Sequence, residues 1–187
     1  MLNVVHRQSG FNLVELLIGI SIAAMLLVLA APGYQEFMAN THIRNAAESV
    51  ATGLRTAQAM AIKRNANCAL VPPQCVEFVL DPANGWDVVD VAGPTTLESY
   101  RWNLASAYKS VVTVTPAGTT RVSFNGLGRI VDPNPSDASA GIVQVDVTAP
   151  ELATPHNLRV LVTANGRGIK MCDPSPLLPA TDTKACP

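Results

Sequence analysis

Four cysteines, three histidines and one glutamate inside an apolar run are the residues of this chain whose chemistry bears weighing first. The cysteines fall as Cys68 with Cys75 and Cys172 with Cys186. In an oxidising compartment they are expected to form disulfides. Four cysteines allow three pairings, and local pairing is the expectation. It would close two short loops, each worth about 2–3 kcal/mol in the loop-entropy model. A metal site is not expected, because the spacing is not CxxC and His42 and His156 are distant in sequence from every cysteine. His6 lies in the polar N-terminal stretch, while His42 on a helical pattern and His156 in a Pro-flanked loop read as surface positions. Asp87, Asp90 and Glu98 read as solvated strand faces. GxSxG, HExxH, P-loop and GxGxxG signatures are all missing from the sequence. Neither an enzyme nor a bound cofactor is expected.

The glutamate is more informative. Residues 1–10 are short and polar, and from Phe11 to Ala31 the chain reads FNLVELLIGISIAAMLLVLAA. About 21 residues at about 1.5 Å each span roughly 32 Å, the thickness of a bilayer's hydrocarbon core. A secretory signal would place a small-x-small cleavage site after a shorter apolar core. Here Gly10 precedes the run, so a cut there keeps the apolar helix on the mature chain. Glu15 sits one turn into that run. A carboxylate in a membrane helix costs up to about 3 kcal/mol at mid-membrane and less near an end. A simple anchor would do better with leucine. A buried acid calls for a cation, and the nearest is a free α-amine on Phe11, of the same chain or of a neighbour. That amine exists only after cleavage between Gly10 and Phe11, so the two features account for each other.

Gly10-Phe11-Asn12-Leu13-Val14-Glu15-Leu16 resembles the signal of type IV prepilins and type II secretion pseudopilins. The resemblance implies that a prepilin peptidase cuts after Gly10 and methylates the amine of Phe11. It also implies that Glu15 is the family's assembly acid at the fifth mature position, and Pro32 its helix-bending proline. Asn12 stands where Thr or Ser is more usual, away from the bond that is cut.

These residues need elements to carry them. The chain has 187 residues, 48% hydrophobic and only 14% charged, with net charge −1. That is one domain plus an extension, and not a strongly basic nucleic-acid coat. After Pro32-Gly33, Tyr34, Phe37, Met38, Thr41, Ala46, Val50, Leu54, Ala57 and Ala61 recur at helical spacing. One helix is expected from about Phe11 to about Arg64, apolar all round at first and one-sided afterward, bent or locally melted at Pro32. Its apolar stripe needs a sheet to cover it. Strands are expected at 68–71, 75–80, 86–91, 99–102, 111–115, 121–124, 142–147, 157–163 and 168–172. Asn84-Gly85, Asn125-Gly126 and Asn165-Gly166 mark turns. Residues 132–140 and 148–156 read as loops, and the Pro-rich tail from Asp173 as a strap held by the second cysteine pair. The fold class is α+β, a pilin-like long helix packed on antiparallel sheets. Residues 1–10 form the leader, 11–32 the transmembrane and filament-core helix, and 33–187 the head.

Leu54 to Asn65, Phe124-Asn125-Gly126-Leu127-Gly128-Arg129 and Asn165-Gly166-Arg167 resemble the GspH/FimT group of minor pilins and pseudopilins. The resemblance implies a minor pilin that helps to prime or assemble a type IV pilus, serving twitching motility, adhesion or DNA uptake. Its implied partners are the peptidase, other major and minor pilins and an inner-membrane assembly platform. It would hold its head in the periplasm on a single inner-membrane span and pass into the pilus at the cell surface. The alternatives are a GspH-like pseudopilin of a type II secretion system and a DNA-binding tip pilin. For DNA, some FimT-type relatives use Gly-Arg-x-Arg. Here Gly166-Arg167-Gly168-Ile169-Lys170 matches only its first half. Arg167, Lys170, Arg129 and Arg159 are the cations that would contact phosphate. From position 100 on, eight Lys/Arg face six Asp/Glu, a modest excess, and phosphate binding needs several clustered cations.

Overall fold

A computed structural model describes residues 12–93, 95–102, 110–152, 154–163, 168–179 and 181–187. The helix α1 spans Leu13–Lys63. Among the described residues nine strands follow: β1 Val76–Asp81, β2 Gly85–Asp90, β3 Thr95–Arg101, β4 Val111–Thr115, β5 Arg121–Phe124, β6 Ile130–Val131, β7 Gln144–Thr148, β8 Leu158–Val162 and β9 Ile169–Cys172. The chain separates into two units, one ending at Phe37 and the other running Met38–Pro187.

Within Met38–Pro187 the strands form two antiparallel sheets, ordered β3-β2-β1-β5-β6 and β4-β7-β8-β9. Alternation decides which side chains turn inward. On β1, Val76, Phe78 and Leu80 are buried, and their partners Val88, Trp86, Val122 and Phe124 point the same way. Val112, Val145, Val147, Val160 and Val162 do the same on the second sheet. The stripe that meets them is Ile43, Ala46, Ala47, Val50, Ala51, Leu54, Ala57 and Ala61, and all belong to one core cluster. The alanines matter because a helix face of small residues lets a sheet come close. Gly53 marks the closest approach: a Cβ there would fall 2.7 Å from Phe78 Cε2 and 2.8 Å from the Trp86 ring. The helical period was legible, but Tyr34 and Phe37 are exposed at 63% and 66%, and the buried stripe starts at Ala39.

The helix ends by a Schellman turn. Asn65 takes a positive φ of 50°. Its N–H donates to Ile62 O, and the N–H of Ala66 donates to Ala61 O, both at 3.0 Å. Residues 68–71, expected as a strand, are instead part of a turn closed by the Cys68–Cys75 disulfide and the Asn67–Gln74 bridge. Pro72 and Pro73 offer no N–H to a ladder, so a strand there has nothing to continue into. β3 starts four residues earlier than expected and β6 was not expected at all. Residues 132–140 are a loop, as expected. The second disulfide, Cys172–Cys186, ties the tail to β9, beside a bridge between Asp173 and Ala185. Both bonds follow the local pairing.

Candidate functional site

The segment ending at Phe37 shows one chemical feature. Leu13, Val14, Leu16, Leu17, Ile18, Ile20, Ile22, Met25, Leu26, Leu27, Val28 and Leu29 are all exposed, half or more of each side chain being open. Among the described residues this is the one helix long and apolar enough to cross a membrane, and none of its most apolar window is buried. A core helix of a soluble protein would be covered, and an uncovered apolar stretch of this length is compatible with membrane anchoring. Its backbone is self-satisfied, as an apolar surrounding requires. Ser21 turns its hydroxyl back to donate to Leu17 O at 2.7 Å.

Glu15 lies exposed among these side chains, in the first turn of α1. Asn12 acts as the helix cap: its C=O accepts from Leu16 N–H at 3.1 Å and its Oδ1 from Val14 N–H at 3.4 Å. Asparagine is at least as good a cap as Thr or Ser, which explains why the motif tolerates it. A carboxylate in the first turn is also favoured by the helix dipole. Gly10 and Phe11 lie outside the described residues. Helical structure continues unbroken through Pro32 and Gly33, so the backbone is not melted there.

In the unit Met38–Pro187, two of the segments that carried the family resemblance, Leu54 to Asn65 and Phe124 to Arg129, meet, while Asn165-Gly166-Arg167 lies outside the described residues. Gly126 N–H donates to Ala66 O at 2.6 Å, and a Cβ on Gly126 would sit 2.7 Å from Asn65 C and 2.8 Å from Ala66 N. Gly128, at φ +69°, faces Ile62 and Gln58, and Gln58 Nε2 donates to Gly128 O at 2.7 Å. Arg55 NH2 donates to Ile169 O at 3.2 Å, tying the same helix to the second sheet. Helix end and β5–β6 turn are therefore one device, a contact that the shared resemblance of the two segments does not itself reveal. The two glycines three and five positions after the strand's last serine, Ser123, were the signal.

A second device went unseen. Glu77 alternates outward on β1 and would be solvated on an open sheet, yet it is only 1% exposed. Loop 132–140 covers it. Ser123 Oγ stands 2.9 Å from Glu77 Oε1 and 2.8 Å from Asn134 Oδ1, and Arg121 NH1 donates to Glu77 Oε2 at 3.1 Å. Asn134 Nδ2 faces the carbonyls of Arg121, Ser139 and Ala140. Arg121 Nε also pairs with Asp137 at 3.1 Å. The side chain and backbone N–H of Ser139 hydrogen-bond to Asp137, and with the nearby Arg121 charge they hold its carboxyl below the usual range. Every member is engaged within the protein, so the cluster fastens the loop and offers no free acid–base pair.

Among the described residues, the cations singled out for phosphate do not gather. Arg159 is committed to Asp146, with Nε at 2.6 Å and NH2 at 3.3 Å. Lys170 is exposed on β9, and Arg129 is exposed beside β6 in the other sheet. Arg167 lies outside the described residues. Among the described residues no group of three or more His, Cys, Asp or Glu is placed to hold a metal.

A family model described as type II transport protein GspH matches residues 46–166, more than half of the chain. The match starts beyond the apolar stretch and takes in the buried half of α1, both sheets up to β8 and the β5–β6 turn. No curated protein and no solved structure matches.

Proposed function

The chain belongs to the GspH family of type II transport proteins, and on that premise we propose that it is a minor pilin of a type IV pilus. Members of such a family are structural subunits that associate with other pilins or pseudopilins. The observation that carries the finer reading is the uncovered apolar stretch of α1 with a lone acid, Glu15, in its first turn. Peptidase cleavage between Gly10 and Phe11 frees an α-amine. Before assembly, Phe11–Ala31 holds the chain in the inner membrane with the Met38–Pro187 unit in the periplasm. An assembly platform then moves the helix from lipid into the filament, where neighbouring helices cover it. Each helix brings Glu15 to a neighbour's α-amine, and that pairing sets the axial register.

The prediction is specific. Glu15→Leu inserts into the membrane as well as the wild type, because it removes a cost of up to about 3 kcal/mol. It nevertheless fails to enter filaments, since the register pairing is gone. Shearing surface filaments from the native bacterium and blotting for the protein reads this directly. Normal recovery of the Glu15→Leu chain in the sheared fraction would contradict the pairing.

A second reading, a pseudopilin of a type II secretion system, is favoured by the description of the matched family. The same blot separates the two: a pilus subunit is found at low level beside the major pilin, whereas a secretion pseudopilin stays with the membranes while pili are intact. DNA capture has no comparable support, as the described cations are paired or scattered.

A further inference from the structure

Among the described residues the two sheets present four edges, and three of them are guarded in ways that keep a strand from pairing further. β3 carries Glu98 and Arg101, and a bulge between Val88 and Val89 shifts its register with β2. β6 has only two residues. β9 carries the exposed Lys170, and the tail is fastened at its end. There Asp173 N–H donates to Lys184 O at 2.7 Å and Cys186 N–H to Asp173 O at 3.1 Å.

β4 has none of these devices. Its residues, Val111–Thr115, include no charge and no proline, and its register with β7 runs unbroken from Val111 opposite Thr148 to Thr115 opposite Gln144. All are β-branched valines and threonines, side chains that suit a pleated surface. An edge strand turns part of its N–H and C=O groups away from its one neighbour. Among the described residues nothing is bonded to that side of β4. The side-chain row is unfinished as well. Val112 is buried, whereas Val114, beyond it on the same inner face, is only half-buried against the core. Val111 is 40% exposed, and Val143, whose N–H donates to Thr115 O at 2.8 Å, is 54% exposed.

We propose that β4 accepts an extended strand from a neighbouring subunit of a different kind, so that the sheet β4-β7-β8-β9 continues across the contact. Main-chain hydrogen bonds hold the incoming strand, and side chains in alternate positions set which strand fits. Beside Val112 and Val114 that strand is apolar, because a charge on the inner face would lose water and meet no partner on β4. Beside Thr113, on the outer face, it is uncharged, and a hydroxyl or β-branched side chain pairs best there. The three guarded edges confine the addition to this one side. The inference deepens the assembly reading and rests on it: a chain present at low level in a filament has other pilins as its neighbours. One edge opened to one of them gives it a fixed place among them without linking it to further copies of itself.

The test keeps the full chain in the native bacterium. Photoreactive benzoylphenylalanine replaces Thr113, and irradiation of intact cells joins the chain to another pilin-type subunit. Mass spectrometry of the adduct places the join in an uncharged segment of that subunit. The same probe in place of Ser99, on the guarded β3 edge, gives about tenfold less adduct or none. Val111→Lys sets a charge on the open edge and lowers both the adduct and the recovery of the chain in sheared filaments by about tenfold. Ser99→Lys leaves both unchanged, and Val111→Thr retains both. Urea unfolding followed by tryptophan fluorescence verifies that Val111→Lys folds as the wild type does, and the adduct at position 113 does not depend on that variant. No adduct from position 113, equal adducts from positions 113 and 99, an adduct with a second copy of this chain alone, or full recovery of Val111→Lys each overturn the contact. Wild-type chain found in sheared filaments without the adduct sinks the contact and leaves the assembly reading standing. The adduct found only in the membrane fraction, with pili intact, upholds the contact and sinks the pilus reading.

Discussion

Replacing Gly126 by alanine tests whether the end of α1 and the β5–β6 turn form one device. The new Cβ would meet Asn65 C at 2.7 Å, Ala66 N at 2.8 Å and Ala66 O at 3.0 Å. All three are backbone atoms, so no rotamer change relieves the overlap. The turn must retreat, which strains its packing by about 1–3 kcal/mol. The Gly126 N–H bond to Ala66 O, now 2.6 Å, stretches as it does so, at about 1 kcal/mol. Alanine restricts the unfolded chain more than glycine and returns about 0.4–1 kcal/mol. The net loss is about 1–3.5 kcal/mol, which in a chain of this size lowers Tm by on the order of 2–14 °C. Urea unfolding of the full chain in detergent, followed by the fluorescence of the buried Trp86, measures it. Gly93→Ala is the control, since nothing lies within 4 Å of a Cβ there, and it should stay within about 0.5 kcal/mol of wild type. If Gly126→Ala also stayed within that margin, the close approach would not be a constraint and the coupling argued from it would fail.

At Gly53, substitution by leucine drives a side chain into the Phe78 and Trp86 rings; a loss of about 3 kcal/mol or more is expected, at the top of the overpacking range of about 1–3, with Trp86 emission shifted to the red. Removing the second disulfide by Cys172→Ser with Cys186→Ser reopens a loop with a sequence separation of 14. That should cost about 3 kcal/mol in the chain-entropy model, read as a lower urea midpoint, and an unchanged midpoint would count against it. Acid should loosen loop 132–140. The Asp137 carboxyl is held below its ordinary value, so its contribution is complete above about pH 4 and is lost as pH falls through the lower folded value. The Ser139 amide resonance should titrate below about pH 4, and a midpoint above that would be inconsistent with the bonds described.

The sequence revealed more of the elements than of their meetings. Periodicity placed α1 to within two residues at its start and one at its end, and β1, β2, β4, β5, β7, β8 and β9 to within two residues. Period-based reading works there because burial of one face is a local property of each segment. It failed at Tyr34 and Phe37, where the spacing fits a stripe but both side chains are exposed. Failure at residues 68–71 had another cause: an apolar run between a cysteine and two prolines looks like a strand until the disulfide closes it. Glu77 was illegible for a third reason. Its burial depends on a loop that begins 55 positions later in the chain, and no local pattern announces it. The apolar run and its acid stand out in the sequence because they are a local chemical contradiction, a charge in an apolar stretch. The β5–β6 turn was seen only as a motif, and the contacts with Gln58 and Ala66 give that motif its physical cause.

The two tethers on α1 have a mechanical side. Gln58 binds the helix to one sheet through Gly128, and Arg55 binds it to the other through Ile169. They lie within a single helical turn of each other, next to the capped end. A pull along this part of α1 therefore reaches both sheets at once through these two side chains. Force on the helix is thus divided between two sheets instead of falling on one.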